Sequence, residues 1–131
     1  MVKVKSRLPD AQEAIVYRVI GCGIEVHREL GPGFKERIYE EAFSFELNAA
    51  GLTFEREKPV TVKYKTCSIP GQKIDLVVEG LVLVEIKAVS RLKPIHRSQV
   101  VSYLRTTGLP VGLLMNFNTR RLKDSMDRIV V

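Results

Sequence analysis

The stretch that decides the fold reads Ile74-Asp75-Leu76-Val77-Val78, then a turn at Glu79-Gly80, then Leu81-Val82-Leu83-Val84-Glu85-Ile86-Lys87. Two β-branched, apolar runs joined by a tight turn are typical of a hairpin whose strands are buried on both faces. Side chains two apart on a strand share a face, so Glu85 and Lys87 should point the same way. The antiparallel register should bring Asp75 across from them. Because ionised groups in buried surroundings are costly unless they pair or bind a metal, this hairpin is the first place to look for chemistry.

The composition is that of one folded domain with an anionic partner. The chain has 131 residues, of which 45% are hydrophobic and 27% charged, which argues against disorder and allows a sizeable core. We therefore expect a single domain over residues 1–131. The net charge of +6 favours an anionic partner, most often a nucleic acid.

The cysteines and the apolar runs indicate a compartment. Cys22 and Cys67 have neither the spacing of a zinc site nor that of a disulfide framework, and a reducing cytoplasm is the simplest environment for them. Residues 1–7 contain no apolar signal core, and the chain has no uncharged run of about 18 residues that could span a membrane. We expect a cytoplasmic protein without a membrane partner.

Two helices are predicted before the first strands. A capping box of Asp10 and Glu13 is expected to open the first helix, whose apolar spacing continues to the breaker Gly31-Pro32-Gly33. The second helix should cover residues 34–50, because Gly51 is a natural residue after a helix end.

Short strands are expected next, ahead of the central hairpin. They fall near residues 53–57 and 60–65, with Pro59 between them and Pro70-Gly71 in the following turn. Since proline cannot donate to a sheet ladder, Pro59 is expected to separate two strands. With the hairpin, four strands would precede the third helix.

The last third of the chain completes a mixed sheet. Pro94 can open a helix that Gly108 ends, and residues 111–117 form another apolar strand. The tail from Thr119 fits either a short helix or an edge strand. The predicted order is α-α-β-β-β-β-α-β, an α/β fold with a mixed β-sheet flanked by helices. The helix between strands 81–87 and 111–117 fits a right-handed parallel crossover.

The acids of the hairpin have the chemistry of a magnesium site. Mg²⁺ prefers hard oxygen ligands and accepts one or two carboxylates while it keeps several waters. Asp75, Glu85 and the carbonyl of Ile86 could form half of such a shell, open to water and to a phosphate oxygen. Lys87 would then stabilise charge on the phosphate or help to deprotonate the nucleophile. The alternative is that Lys87 only neutralises the two acids at a strand end.

A further acid can come from the second helix. Glu36 and Glu40 are four residues apart and lie on one face of that helix. Glu40 lies at the margin of the apolar stripe, so its carboxylate can lean over the sheet towards Asp75 and Glu85. An ordinary solvated acid is the alternative.

Polar and basic residues follow the Glu85–Lys87 strand. Gln99 could hydrogen-bond a metal-bound water or a phosphate, and Tyr103, four residues later, could hold the backbone of a nucleic-acid strand. Basic residues gather in two groups, Lys87, Arg91, Lys93, His96 and Arg97 in one, and Arg120, Arg121 and Lys123 in the other. Phosphate contact is the functional interpretation of both groups, and a solvated surface is the alternative.

Taken together, these residues resemble the PD-(D/E)xK nuclease superfamily, which places a helical acid, an Asp, an ExK and a downstream Gln on an α-β-β-β-α-β frame. More narrowly, Gly33-Phe34-Lys35-Glu36-Arg37-Ile38-Tyr39 matches the motif that names the GxxExxY proteins. The likeness runs from about residue 14 to the C-terminus. It also covers Val26-His27-Arg28-Glu29-Leu30-Gly31-Pro32-Gly33, Val84-Glu85-Ile86-Lys87-Ala88-Val89, Gln99 with Tyr103-Leu104, Thr107-Gly108-Leu109 and Asn116-Phe117.

The resemblance implies a restriction-endonuclease-like core and a role for each matching residue of the hairpin. Asp75 and Glu85 would bind Mg²⁺, for which Mn²⁺ can substitute, and Lys87 would be the catalytic lysine. The superfamily's proline before the first acid is absent, since Lys73-Ile74 precede Asp75.

For the helical acid the resemblance leaves two candidates. Glu40 is preferred, because its spacing to Phe43, Leu47 and Gly51 resembles the helix of archaeal Holliday-junction resolvases. Glu36, which the GxxExxY motif contains, is the rival. Gln99 would be the supporting polar residue.

Three functions are compatible with these features. The leading hypothesis is a small Mg²⁺-dependent nuclease, or a nuclease-like domain, that hydrolyses phosphodiester bonds in DNA. The alternative is a catalytically silent nucleic-acid-binding protein of the same fold. A third is a structural homodimer whose acid–lysine cluster only pairs. The choice between DNA and RNA, between endonuclease and exonuclease action, and between monomer and homodimer is open from the sequence.

Overall fold

The computed structural model describes residues 8–131, so residues 1–7, where no signal core is expected, lie outside it. Three helices, five strands and one short 3₁₀ turn follow one another along the described chain. Their bounds are α1 Asp10–Leu30, α2 Glu36–Ala49, β1 Phe54–Tyr64, β2 Cys67–Val78, β3 Val82–Lys87, α3 Pro94–Thr107, β4 Val111–Asn116, the 3₁₀ turn Leu122–Ser125, and β5 Met126–Ile129.

The strands form one mixed sheet in the order β1-β2-β3-β4-β5. Neighbouring strands are antiparallel except β3 and β4, which run parallel because α3 carries the chain back between them. The α/β fold with a mixed sheet flanked by helices is thereby confirmed. The carboxyl ends of β3 and β4 therefore lie at the same edge of the sheet, where Lys87 and Asn116 are neighbours.

Helices cover both faces of the central strands. α1 and α2 pack on one face through a cluster that includes Val19, Phe43, Leu76, Ile86 and Met115. On the other face, α3 packs through a smaller cluster that includes Ile74, Leu83, Val100, Leu104 and Leu114. Burial on both faces explains why β3 and β4 are almost continuously apolar.

The expectation of two strands separated by Pro59 was wrong. β1 is one continuous strand in which Pro59 pairs with Lys73, and β1 is the first strand in the sheet order. Proline is tolerated there because an edge strand has one side on which no ladder bond is lost. Three strands, not four, precede α3.

The turn predicted at Pro70-Gly71 is also displaced. Both residues lie inside β2, where the register against β1 shifts between Val60 and Val62. The reversal between the two strands falls instead at Lys65, whose φ is +54°. A proline-glycine pair can serve a strand irregularity as well as a turn, because both need unusual backbone geometry.

The start of the first helix differs from the expected pattern, whereas the tail agrees with it. The first helix begins at Asp10 itself, after Pro9, without a side-chain cap. Glu13 instead accepts a hydrogen bond from the Leu8 amide at 2.8 Å and pairs with Arg128 of β5 at 2.7 Å. The tail contains both predicted alternatives, since the 3₁₀ turn is followed by an edge strand.

Two sequence expectations concern cysteines and membranes. Cys22 and Cys67 are both free thiols, one buried and one exposed. Within residues 8–131, every helix is too short or too polar to cross a lipid bilayer.

Candidate active site

The sheet forks where the acids of the hairpin lie. β2 and β3 pair from Val78 and Val82 as far as Leu76 and Val84, and the ladder between them ends there. Beyond that point the Asp75 carboxylate accepts a hydrogen bond from the Ile86 amide at 2.8 Å. The Asp75 side chain thus takes the place of a backbone carbonyl as the partner of the Ile86 amide. As a result, β2 and β3 can separate at this point.

The carbonyl of Ile86 faces the same fork. The next carbonyl along the strand, that of Lys87, accepts a hydrogen bond from the Phe117 amide at 2.8 Å and so points towards β4. Because successive residues of a strand direct their backbone polar groups to opposite edges, those of Ile86 point towards β2. The ladder with β2 has already ended, so this carbonyl opens into the fork beside Asp75.

Glu85 is a buried carboxylate with too few partners. It is 5% exposed, and its Oε1 has no hydrogen-bond partner among the described residues. Its Oε2 lies 3.6 Å from the Lys87 Nζ, a loose ion pair. Burial raises the pKa of the Glu85 carboxyl to about 8, and the charge of Asp75 adds to the rise while Lys87 opposes it.

The neighbouring carboxyl is perturbed in the same direction. Burial raises the pKa of Asp75 although the hydrogen bond from Ile86 lowers it, and the charge of Glu36 raises it further. For both carboxyls burial is the larger cause of the raised pKa, and the charges of neighbouring acids add to the rise. A bound cation would relieve both.

The donor set fits a hard divalent ion. Within residues 8–131 no three side chains of the His, Cys, Asp or Glu type are arranged to hold a metal. Two carboxylates and a backbone carbonyl are a smaller set, but Mg²⁺ usually keeps several waters and takes only one or two carboxylates. The unpartnered Oε1 of Glu85 is the observation that makes these residues suitable for such an ion.

Glu40 approaches the fork from α2 but is held by an arginine. Its side chain is buried, and its Oε2 accepts a hydrogen bond from the Arg56 Nε at 3.1 Å. The Arg56 Nη2 also donates to Glu41 at 2.9 Å. Burial raises the pKa of Glu40, the Arg56 hydrogen bond lowers it, and the charge of Asp75 raises it. Arg56 was not among the residues singled out from the sequence.

Glu36 lies one helical turn earlier, at the start of α2. It is exposed, and its Oε2 is 3.4 Å from the Ala88 amide, just past the end of β3. Its charge raises the pKa of both Asp75 and Glu85. The structure therefore brings both helical acids towards the fork, and which of them acts is still a prediction.

Two residues for which the sequence predicted no role, Tyr39 and Asn116, hold the loops around the fork. The Tyr39 hydroxyl donates to the Gly31 carbonyl at 2.6 Å, and its ring stacks on Phe117 with centroids 4.7 Å apart. Asn116, at the end of β4, donates to the Val89 carbonyl at 2.9 Å and accepts from the Val89 amide at 3.0 Å. Their signal in the sequence was a motif position for Tyr39 and a strand-end amide for Asn116.

Gln99 shares an open groove with Lys87. The groove has a volume of about 410 Å³ and is lined by Gln72, Lys87, Ile95, His96, Ser98, Gln99 and Ser102. The Gln99 Nε2 donates to the Tyr103 hydroxyl at 3.2 Å. Tyr103 is only 3% exposed, so little of its surface can touch a nucleic acid directly.

The predicted basic rim lies at the start of α3 and just before it. Arg91 and Lys93 are exposed and make no ion pair within the described residues, whereas Arg97 lies 3.3 Å from Asp127. His96 caps the helix, since its Nδ1 accepts from the Lys93 amide at 2.9 Å.

The second basic cluster is more weakly defined. Arg120, Arg121 and Lys123 are exposed and follow β4, and Arg121 lies 3.8 Å from Asp124. They follow the end of β4 and line a pocket together with Ile24 and His27 of α1.

Together, the mixed sheet with helices on both faces and the acidic fork define a class, the α/β proteins with a nuclease-like core. A family model described as the PD-(D/E)XK nuclease superfamily matches residues 13–129, and the chain belongs to this superfamily. Its fold is accordingly restriction-endonuclease-like. Nucleases of this superfamily act on nucleic acids and generally depend on a divalent metal. No curated protein and no solved structure matches the chain.

Proposed function

We propose that this protein is a Mg²⁺-dependent nuclease that hydrolyses phosphodiester bonds in DNA, with Mn²⁺ able to substitute. The observation that carries the proposal is the buried oxygen of Glu85 that has no partner within residues 8–131, beside Asp75 at a fork in the sheet. An acid in that position destabilises a fold unless something compensates its charge. Membership of a nuclease superfamily makes a catalytic metal the natural compensation.

The chain's own residues suit the steps of phosphodiester hydrolysis. Asp75, Glu85 and the carbonyl of Ile86 would hold the ion, which when bound supplies positive charge for the scissile phosphate and lowers the pKa of a water. Lys87 lines the groove and would stabilise the charge that develops on the phosphate. Its loose pairing with Glu85 leaves its ammonium group available for that contact.

Gln99 and Tyr103 have separate roles in this proposal. Gln99 lines the groove beside Lys87 and would bind a phosphate oxygen or orient a water. Tyr103, which is buried, fixes the Gln99 side chain through their hydrogen bond and acts as a positioning residue. Arg91, Lys93 and Arg97 would contact phosphates on either side of the scissile bond.

The helical acid is assigned to Glu40, with Glu36 as the rival. Burial next to the sheet supports Glu40, whereas the influence of Glu36 on both hairpin acids supports the rival. The assignment is tested by comparing Glu40→Gln with Glu36→Gln. The acid that helps to hold the metal is the one whose removal raises the metal concentration needed for cleavage.

Finer assignments are part of the same proposal. We place the chain with the GxxExxY proteins, because Gly33, Glu36 and Tyr39 stand at their motif positions and Tyr39 holds the loop from which Glu36 follows. We also propose that residues 1–131 form one domain, that the protein is cytoplasmic, and that a homodimer is compatible with this function.

The test is cleavage of plasmid and oligonucleotide DNA in Mg²⁺ or Mn²⁺ by the wild type, Lys87→Ala and Asp75→Asn. The cleavage rate of each variant should fall at least about 100-fold, because Lys87→Ala removes a positive charge that stabilises the transition state and Asp75→Asn removes a ligand of the metal ion. Arg105→Ala, which removes a cation near the other end of α3, is the matched control and should keep the wild-type rate. Unchanged rates in both site variants would refute the proposed site.

One observation favours the catalytically silent alternative. The Asp75 carboxylate already accepts a backbone hydrogen bond from Ile86, at 2.8 Å. A silent binding protein would bind DNA in a salt-dependent manner without metal, and Asp75→Asn would change that binding little. Wild-type protein that binds DNA in this way and never cleaves it would identify this alternative.

A further inference from the structure

The outer half of the β1–β2 hairpin extends beyond the sheet. Residues 61–73, here called the ribbon, are all exposed, whereas Val60 and Ile74 on either side are buried in the core under α3. The ribbon keeps its strand pairing as far as Tyr64 and Cys67. It is therefore a two-stranded arm that the core does not require.

The charge of the ribbon has one sign. The sequence contains no acid between Glu57 and Asp75, although it contains four lysines there, Lys58, Lys63, Lys65 and Lys73. The two at the base pair with acids of β1, Lys58 with Glu55 at 3.1 Å and Lys73 with Glu57 at 2.8 Å.

Lys63 and Lys65, nearer the tip, make no ion pair within residues 8–131. The Lys65 Nζ lies 5.4 Å from the centre of the Tyr64 ring. The tip of the ribbon is thus positively charged and uncompensated.

One face of the ribbon is apolar and exposed. Val62 pairs with Ile69 and Tyr64 with Cys67, so these four side chains share a face. Val62, Tyr64 and Ile69 are 38%, 57% and 48% exposed. Grouped apolar side chains on a protruding element commonly mark an interaction surface.

The ribbon is continuous with the candidate active site. β2 leads from the ribbon directly to Asp75, and Gln72 lines the same groove as Lys87 and Gln99. Asp75 follows Ser68 by seven residues in the sequence, a distance of about 23 Å along an extended strand. A single DNA strand of this length contains roughly seven base steps, so one duplex can reach both the ribbon and the candidate active site.

A second copy of this chain is a poorer fit than DNA. Pro59 and the register shift near Val62 interrupt the free edge of β1, and such features discourage strand pairing between copies. Lys63 lies on the face opposite Val62 and Tyr64, and Lys65 lies at the tip, so positive charge flanks the apolar face. This charge complements a polyanion and not a second, equally positive ribbon.

We propose that the ribbon is a second DNA-binding element. It contacts the duplex next to the scissile phosphate that the proposed function places at the fork. Lys63 and Lys65 contact phosphates, while Tyr64, Val62 and Ile69 lie against sugars and base edges. A two-stranded β-ribbon is narrow enough to enter the major groove of a duplex. The inference rests on the proposed function, because it places the substrate of that same site.

The test measures binding of a fluorescein-labelled DNA duplex by anisotropy in EDTA, between about 50 and 200 mM salt. Lys63→Ala/Lys65→Ala should reduce the slope of log affinity against log salt by about 2, one for each phosphate that the variant no longer neutralises. Tyr64→Ser/Ile69→Ser should weaken binding with the slope unchanged, because no charge is removed. The matched control, Arg18→Ala/Arg105→Ala, removes two cations outside the ribbon and should bind as the wild type does.

The outcomes separate this inference from the nuclease proposal, since EDTA makes binding independent of cleavage. An unchanged salt slope in Lys63→Ala/Lys65→Ala overturns the ribbon assignment even if Mg²⁺-dependent cleavage is intact. If Lys63→Ala/Lys65→Ala has a reduced salt slope but the wild type never cleaves DNA, the ribbon proposal is supported and the nuclease proposal is refuted. If Tyr64→Ser/Ile69→Ser instead converts a dimer to a monomer in sedimentation and leaves DNA binding intact, the ribbon joins copies of the chain and the proposal is wrong.

Discussion

Of the residues at the candidate active site, Glu85 has the largest free-energy cost of burying a charge. Neighbouring positions of β3 are apolar and buried, and an isosteric amide would avoid the cost of burying a charge there. The only cation near the Glu85 carboxylate in the described chain is Lys87, at 3.6 Å. A carboxylate in such surroundings is expected where its charge is used, as in a metal site.

We predict that Glu85 makes the metal-free protein less stable as the pH rises. The pKa of Glu85 is raised from 4.5 to about 8 in the folded protein, so folding favours its protonated form. This contribution is fully present below about pH 4.5 and is lost as the pH rises through about 8. Thermal melting in EDTA across that range should show a fall in stability that is smaller in Glu85→Gln.

Asp75 and Glu40 also have raised pKa values, so the variant should retain part of the pH dependence. Glu46→Gln, in the last turn of α2, is the matched control and should follow the wild type. Identical pH profiles for Glu85→Gln and the wild type would show that Glu85 is not perturbed in this way.

The close packing of α3 on β4 determines the position of Gln99. Gly112 faces this helix, and a Cβ added there would lie 2.7 Å from the Val100 Cγ1. A glycine in the middle of a buried strand is otherwise unfavourable, because it adds no side chain to the core. Here it allows the helix that carries Gln99 and Tyr103 to approach the sheet.

We predict that Gly112→Ala destabilises the protein by about 1–3 kcal/mol, since it overpacks this contact. Gly21→Ala is the matched control, because a Cβ at this helical position meets nothing within 4 Å. It should stabilise α1 by about 0.5–1 kcal/mol. Urea unfolding of both variants measures the difference, and Val100→Ala should recover part of the stability when it is combined with Gly112→Ala. A neutral Gly112→Ala would contradict the packing argument.

The loops that flank the candidate active site are held by side chains outside those loops. The segment after Lys87 is held by the Asn116 side chain, and the loop before Glu36 is held by the Tyr39 hydroxyl. Neither residue belongs to the element whose position it determines. Sequence patterns describe one element at a time, so such contacts between elements are the part that they predict least well.

For the whole molecule, the central question is whether the fork binds metal. We predict that Mg²⁺ raises the melting temperature of the wild type, because an ion that binds only the folded state stabilises it by mass action, by about 2.7 kcal/mol at 100 times the dissociation constant. The shift should disappear in Asp75→Asn. Asp127→Asn, which removes a half-exposed acid of β5 that pairs with Arg97, is the control and should keep the full shift.

A metal-dependent shift that persists in Asp75→Asn would place the ion elsewhere. If no shift occurs in the wild type at millimolar Mg²⁺ or Mn²⁺, the acid–lysine cluster only pairs, and the site is structural.

The sequence alone determined the features that depend on local chemistry. The apolar hairpin, the alternation that puts Glu85 and Lys87 on one face, and the helical spacing of Glu36 and Glu40 follow from the periods of strands and helices. These features were enough for the fold class and for a superfamily resemblance that a family model confirms.

Only the tertiary structure decided how these parts combine. It showed that β2 and β3 separate after Leu76 and Val84 and that Arg56 holds Glu40. It also showed that one oxygen of Glu85 has no partner in the described part of the chain. It also joined two predicted strands into one and extended them as a ribbon. The physical reason is that ion pairing, burial and strand separation depend on residues far apart in the chain, whose distances no local pattern determines.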